Sequence, residues 1–313
     1  MTHLTNQLPI ARLHLTVRAE SPLQLPPYAG SMLRGAFGHA LLALSPLPHS
    51  GGKPCALHAT CPYCQVFAAP PLPEHSLQKF SHMPQPYVIE PPTGGVQWLQ
   101  AGQSFGLGLV LMGRALALLP TVLQAWALAL RRGLGREQAR CTLVAVHDEK
   151  SAQPLSNLDG QLSNLDATLP PARPLATAAT LHFYTPLRLQ VQGKPVPAHA
   201  LTARDLLVAL ARRTQLLRDV HLGAAAPQQD FSTLSAQAAA IALEPHDLRW
   251  FDWGRYSQRQ QQEMQLGGLL GSVTLRGELA PFAELLHLGQ WLHVGKNASF
   301  GLGGYTLKAQ SAS

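Results

Sequence analysis

The chain has 313 residues, 46% of them apolar, which is enough for a sizeable buried core and about two ordinary domains of a globular protein. Only 13% of residues are charged, but 24 Lys and Arg exceed 17 Asp and Glu, giving a net charge of +7 that favours polyanionic partners. Four cysteines exclude a disulfide scaffold, and no charged stretch followed by an apolar core and a small-residue site marks a secretory signal at the N-terminus.

Residues 10–20, IARLHLTVRAE, alternate apolar and polar positions at Ile10, Leu13, Leu15 and Val17, as a strand with one buried face does. A proline-rich turn leads into GSMLRGAFGHALLAL. On a helix this segment gathers Leu33, Ala36, Phe37, Ala40, Leu41 and Leu44 on one face and Arg34, Gly35, Gly38 and His39 on the other. From Pro46 to Gly102 the chain is rich in Pro, Gly and His and reads as long loops with short strands such as PYVIEP. Then come the strand SFGLGLVLMG, a helix from Leu119 with Pro120 at its start and Gly133 or Gly135 at its stop, and the strand ARCTLVAVHDE. The most apolar stretch, Leu107 to Leu130, is interrupted by Arg114, Pro120 and Gln124, so no membrane span is expected and a soluble cytoplasmic protein is the default.

Residues 150–176, with the near-duplication LSNLDGQLSNLDAT, read as a linker or long loop. The pattern then restarts. The strand ATLHFYTPLRLQV is followed by a helix opened by the Thr202–Asp205 capping pair, a loop, and two strands from His246 onwards joined near Gln260. The helix PFAELLHLGQWLHV and the strand GYTLKA close the chain. Two successive copies of the same βαββαβ order predict an α+β protein of two tandem ferredoxin-like domains with antiparallel sheets. Their expected limits are 1–175, carrying a Cys-containing loop insertion, and 176–313, carrying a glycine-rich loop.

That loop, HVGKNASFGLGGYTL, tests as a phosphate cradle and fails. Walker and dinucleotide loops run from a strand through glycines into a helix, whereas here the helix comes first and Lys296 precedes Gly301, Gly303 and Gly304. The plain alternative is a helix C-terminal turn with Gly295 in the left-handed cap position and the other glycines in a tight approach to the first domain. A separate cluster, CALHATCPYC, sets Cys55, His58, Cys61 and Cys64 at equal C-x2-H-x2-C-x2-C spacing. These could be four ligands of a structural zinc, reduced thiols in a packed loop, or a redox pair.

Taken together, GKNASFGLGGYTL, GSMLRGAFGHAL, CPYCQVF, YVIEPP and RYSQRQQQEMQLGGLLGSVTL make the chain resemble the CRISPR precursor-RNA processing endoribonucleases of the RAMP superfamily. The resemblance implies a double ferredoxin-like or RRM-like fold that binds CRISPR repeat RNA and cuts it once per repeat. It also implies the reaction: metal-independent transesterification in which a base activates the 2′-hydroxyl and a 2′,3′-cyclic phosphate results. No cofactor is required for the cleavage; zinc, if bound, would fold the loop. The alternative is a non-cleaving RNA-binding subunit working with other CRISPR effector subunits.

A histidine suits the base, and the resemblance places one on the first helix, which points to His39. Tyr28 is the candidate to orient the phosphate or supply the acid, and Arg34 the candidate cation for the growing charge, unless it pairs with an acid such as Glu90. For RNA binding the candidates are Arg255 and Arg259, four apart on an expected strand, together with Lys296, Ser299, Phe300, Gly301 and Gly303 in the loop. For each of these an ordinary surface or packing role is the competing reading.

Overall fold

A computed structural model describes residues 7–46, 49, 55–68, 75–79, 83–150, 154–155, 165–252, 254–257, 262–265 and 267–310. The chain divides into two compact units, Met1–Leu169 with Leu217–Ala225, and Pro170–Leu216 with Ala226–Ser313.

The first unit contains β1 (Ile10–Ala19), α1 (Gly30–Ala43), α2 (Pro62–Val66), β2 (Tyr87–Glu90), β3 (Ser104–Met112), α3 (Leu119–Arg132) and β4 (Cys141–Asp148). Its sheet has the order β2-β3-β1-β4, every pair antiparallel. The expected alternation of β1 holds: Leu13, Leu15 and Val17 are buried, while His14 and Arg18 are exposed. Those apolar residues face α1 and α3, which are clamped together where Phe37 stacks on Trp126 at a centroid distance of 5.1 Å. On the other face, Arg12 bridges Glu90 at 3.1 Å and Glu149 at 2.8 Å. Gly108 sits beneath Glu90, and a Cβ there would come within 2.3 Å of Glu90 Oε2. By length and composition the run Gly113–Arg132 could cross a membrane, which the count of interruptions had argued against. Half of it is nevertheless buried in the unit, through Val122, Trp126, Ala129 and Leu130.

The second unit contains β5 (Ala178–Leu187), α4 (Ala203–Leu222, whose end from Leu217 onwards belongs to the first unit), α5 (Phe231–Ala239), β6 (Ala242–Phe251), β7 (Gly254–Ser257), β8 (Gln262–Gln265), β9 (Gly268–Arg276), α6 (Ala283–Leu292) and β10 (Tyr305–Ala309). Its sheet runs β6-β9-β5-β10, again all antiparallel. Numbering the four strands within each unit, both sheets read 2-3-1-4, which is the ferredoxin-like order. The Thr202–Asp205 cap forms as expected, with the Asp205 amide donating to Thr202 Oγ1 at 3.1 Å. The segment before β6, expected to be a loop, holds α5 instead. Asp230 caps it by accepting from the amides of Ser232 and Thr233, a signal legible in DFSTL. β7 and β8, which lie between β6 and β9 in the sequence, form a separate antiparallel pair.

Candidate active site and nucleic-acid interface

The apolar stripe of α1 packs on the sheet, so its remaining residues face outwards in two strips, each spaced by one helical turn. Arg34 and Gly38 form the first strip, and it is covered. The Phe67 ring, just past the end of α2, lies 4.2 Å from the Arg34 guanidinium carbon, and a Cβ on Gly38 would fall 2.3 Å from Phe67 Cζ. Gly38 is therefore a packing glycine. Gly35 and His39 form the second strip, and it is open. A Cβ on Gly35 would meet nothing within 4 Å, and His39 is exposed. Tyr28, half-buried, lies two residues before the helix. Glu90, suggested as a partner for Arg34, is engaged by Arg12.

The glycine-rich loop is a buried tie to β5. At the end of α6 the cap position is His293, with φ 56° and ψ 161°, rather than Gly295. That backbone conformation is one normally reserved for glycine, and the fully buried imidazole stabilises it. Nδ1 lies 3.1 Å from the Gly301 carbonyl, which can only accept, so this nitrogen carries the proton. Nε2 then faces the Tyr184 hydroxyl at 3.4 Å. The glycines approach β5 of the same unit: Gly295 beside the Arg188 carbonyl, where a Cβ would lie at 2.4 Å, and Gly304 beside Tyr184. The Gly303 amide donates to Pro186 O at 2.9 Å, and the Lys296 amide to Arg188 O at 2.8 Å. Ser299 and Phe300 are buried, so neither offers the hydroxyl contact or stacking face expected of it, and the Gly301 and Gly303 amides are engaged within the unit. Lys296 is the candidate in this loop that is exposed. Arg255 falls on β7, opposite Met264, while Arg259 lies outside the described residues.

The cysteine cluster also differs from its sequence reading. The donor atoms of His49, Cys55, Cys61 and Cys64 all lie within 4.8 Å of one another, a group that could hold a metal ion. His58 is exposed and turns its Nδ1 to the Cys55 carbonyl at 3.3 Å, so His49 takes the place expected for His58. A regular C-x2-H-x2-C-x2-C run hides this, because the ligand from the far side of the loop lies outside it.

Residues 8–166 match a family model described as the AF_1859_N N-terminal domain, and residues 181–305 match the model of the CRISPR-associated endoribonuclease Cas6. The second half of the chain carries a Cas6 domain, that of a CRISPR-associated endoribonuclease. A Cas6 product complex superimposes with a TM-score of 0.60 at 18% identity, covering 96% of this chain and 100% of that one. Thermus thermophilus Cas6 gives 0.51 at 17%, covering 96% and 99%. A partial Cas6-RT-Cas1–Cas2 complex gives 0.57 at 16%, covering 97% of this chain and 47% of the other. No curated protein matches in sequence. At these identities the structural likeness bears on fold, and the tandem ferredoxin-like arrangement of Cas6 is that of this chain.

Proposed function

We propose that this chain binds CRISPR repeat RNA and cuts precursor CRISPR RNA once within each repeat, without a catalytic metal. The carrying observation is the open Gly35–His39 strip of α1, a titratable imidazole one turn above a glycine with clear space over it. His39 takes the proton of the 2′-hydroxyl beside the scissile phosphate, and the oxygen attacks in line. The 5′-oxygen leaves with a proton, giving a 2′,3′-cyclic phosphate. Tyr28, near the start of the same helix, orients the phosphate or gives that proton. Arg34, held on Phe67, contributes positive charge from the neighbouring strip. Lys296 and Arg255 contact the RNA backbone. Support for RNA and CRISPR-protein partners comes from the Cas6 product complex and the Cas6-RT-Cas1–Cas2 complex that share this fold.

The test is repeat RNA from the neighbouring CRISPR array, incubated with the protein in EDTA while its metal content is monitored. Cleavage is expected with wild type and should fall by about 10²–10⁴-fold in His39→Ala, with binding retained. A single 2′-deoxy substitution just 5′ of the cut should abolish it. Cleavage of that deoxy substrate would sink the 2′-hydroxyl mechanism. Tight binding of the matched repeat without cutting would favour the non-cleaving subunit.

A further inference from the structure

We infer that His49, Cys55, Cys61 and Cys64 bind one zinc ion, and that this ion seats α2 on the outer face of α1. The inference rests on the geometry of the loop and does not depend on the cleavage reading.

His49 Nε2 lies 3.3 Å from Cys64 Sγ and 3.5 Å from Cys61 Sγ. One imidazole nitrogen offers a single lone pair or a single proton, so it cannot make two good hydrogen bonds at once. A tetrahedral zinc with Zn–S of about 2.3 Å and Zn–N of about 2.05 Å has N···S edges of about 3.5 Å, and both distances match that figure. S···S edges of such a site are about 3.8 Å, so the 4.8 Å limit on the whole group closes with a shift of about 1 Å. All four cysteines of the chain are free thiols. Cys61 is fully buried at the N-terminus of α2, with the amides of Tyr63 and Cys64 donating towards its sulfur, and Cys64 follows one turn later. Amides aimed at a sulfur suit a thiolate ligand. Three thiolates and a neutral imidazole form a closed Cys₃His set with no open position for a substrate, which makes the role structural.

What the ion would hold in place can be followed outwards from it. The His49 ring meets the Tyr63 ring edge-on at 4.8 Å, Tyr63 stacks on Phe67 at 5.3 Å, and Phe67 lies over Arg34 and Gly38 of α1. A five-residue helix cannot hold itself together in water, so a covalent-strength anchor at its first turn supplies what its length cannot.

The experiment uses the full chain. Protein purified without chelator should carry one zinc per chain by elemental analysis, and the cobalt-substituted form should show tetrahedral d–d bands with a thiolate-to-cobalt charge-transfer band. His49→Ala should lose or shift those bands, His58→Ala should leave them unchanged, and His49→Cys should restore a tetrahedral site. The last variant guards against a simple folding failure. Stripping the zinc should lower the melting temperature by on the order of 10 °C. A protein that neither retains nor takes up zinc overturns the site. A cobalt spectrum abolished by His58→Ala and untouched by His49→Ala overturns the ligand assignment.

Discussion

The two glycines that interrupt α1 make opposite predictions, although the sequence presents them alike. Glycine in a helix interior costs about 1 kcal/mol relative to alanine, so Gly35→Ala, with open space around the new methyl, should stabilise the protein by about that amount. Gly38→Ala drives a methyl into the Phe67 ring and should destabilise by about 1–3 kcal/mol, because overpacking forces the ring off its seat. Denaturant titration of both variants checks this, and equal effects would show that the Phe67 ring does not cover Gly38. A repeat-RNA titration adds a second reading: if the open strip meets RNA, Gly35→Ala should weaken binding while raising stability. Sequence pattern identified the outward face correctly but could not split it, since the covering ring comes from residue 67, beyond a loop with no periodicity.

The elements themselves were largely legible because their signals are local. Alternation in β1, Pro120 and Gly133 around α3 and the Thr202 cap all mark boundaries within a few residues of where they occur. α5 was missed for want of a long apolar stripe, although its Asp230 cap was present. The cap of α6 differs because a histidine at φ 56° is held there by the hydrogen bond its Nδ1 donates to a carbonyl eight residues further on, which no local rule supplies. The end of α4 shows a similar distant dependence. His221 packs against Gly113, whose φ is +56°, and its Nδ1 accepts from the Arg114 amide at 3.2 Å. Burial, with the nearby Arg114 charge, pushes its pKa down from 6.5 to about 4. A histidine that binds protons less well folded than unfolded stabilises fully above its ordinary value, and that contribution is lost as the pH falls from about 6.5 towards 4. Melting temperature measured across that window should therefore fall more steeply for wild type than for His221→Asn, which keeps the acceptor and cannot titrate. Parallel slopes would refute the assignment.

For the molecule as a whole, duplication was the strongest message in the sequence, and the strand orders of the two sheets repeat each other as the duplicated pattern requires. The basic surplus of +7 is the part of the function that composition can carry. It predicts repeat-RNA affinity that falls steeply with salt. Within it, Lys296→Ala should weaken RNA binding across sequences and reduce the slope of log affinity against log salt by about one. An unchanged slope would remove this lysine from the interface. The candidate site was less legible than the fold. The helix bearing His39 could be named from its pattern, whereas Ser299 and Phe300 are buried within a loop that Lys296, Gly301 and Gly303 tie to β5, which a glycine-rich stretch does not reveal.

Thr185 has a consequence for the last strand. Its buried hydroxyl donates to the Gly301 carbonyl and accepts from the Gly304 amide, each at 2.7 Å. That pair of bonds fixes the point at which the chain enters β10 and so sets which of its residues point inwards. Tyr305 is in, its hydroxyl on the Leu286 carbonyl at 2.8 Å, and Thr306 is out. A slip of one residue would exchange them, bringing a threonine to the core and a tyrosine to water. The glycine-rich loop thus acts as the starting mark from which the final strand is counted, and a threonine more than a hundred residues earlier holds that mark in place.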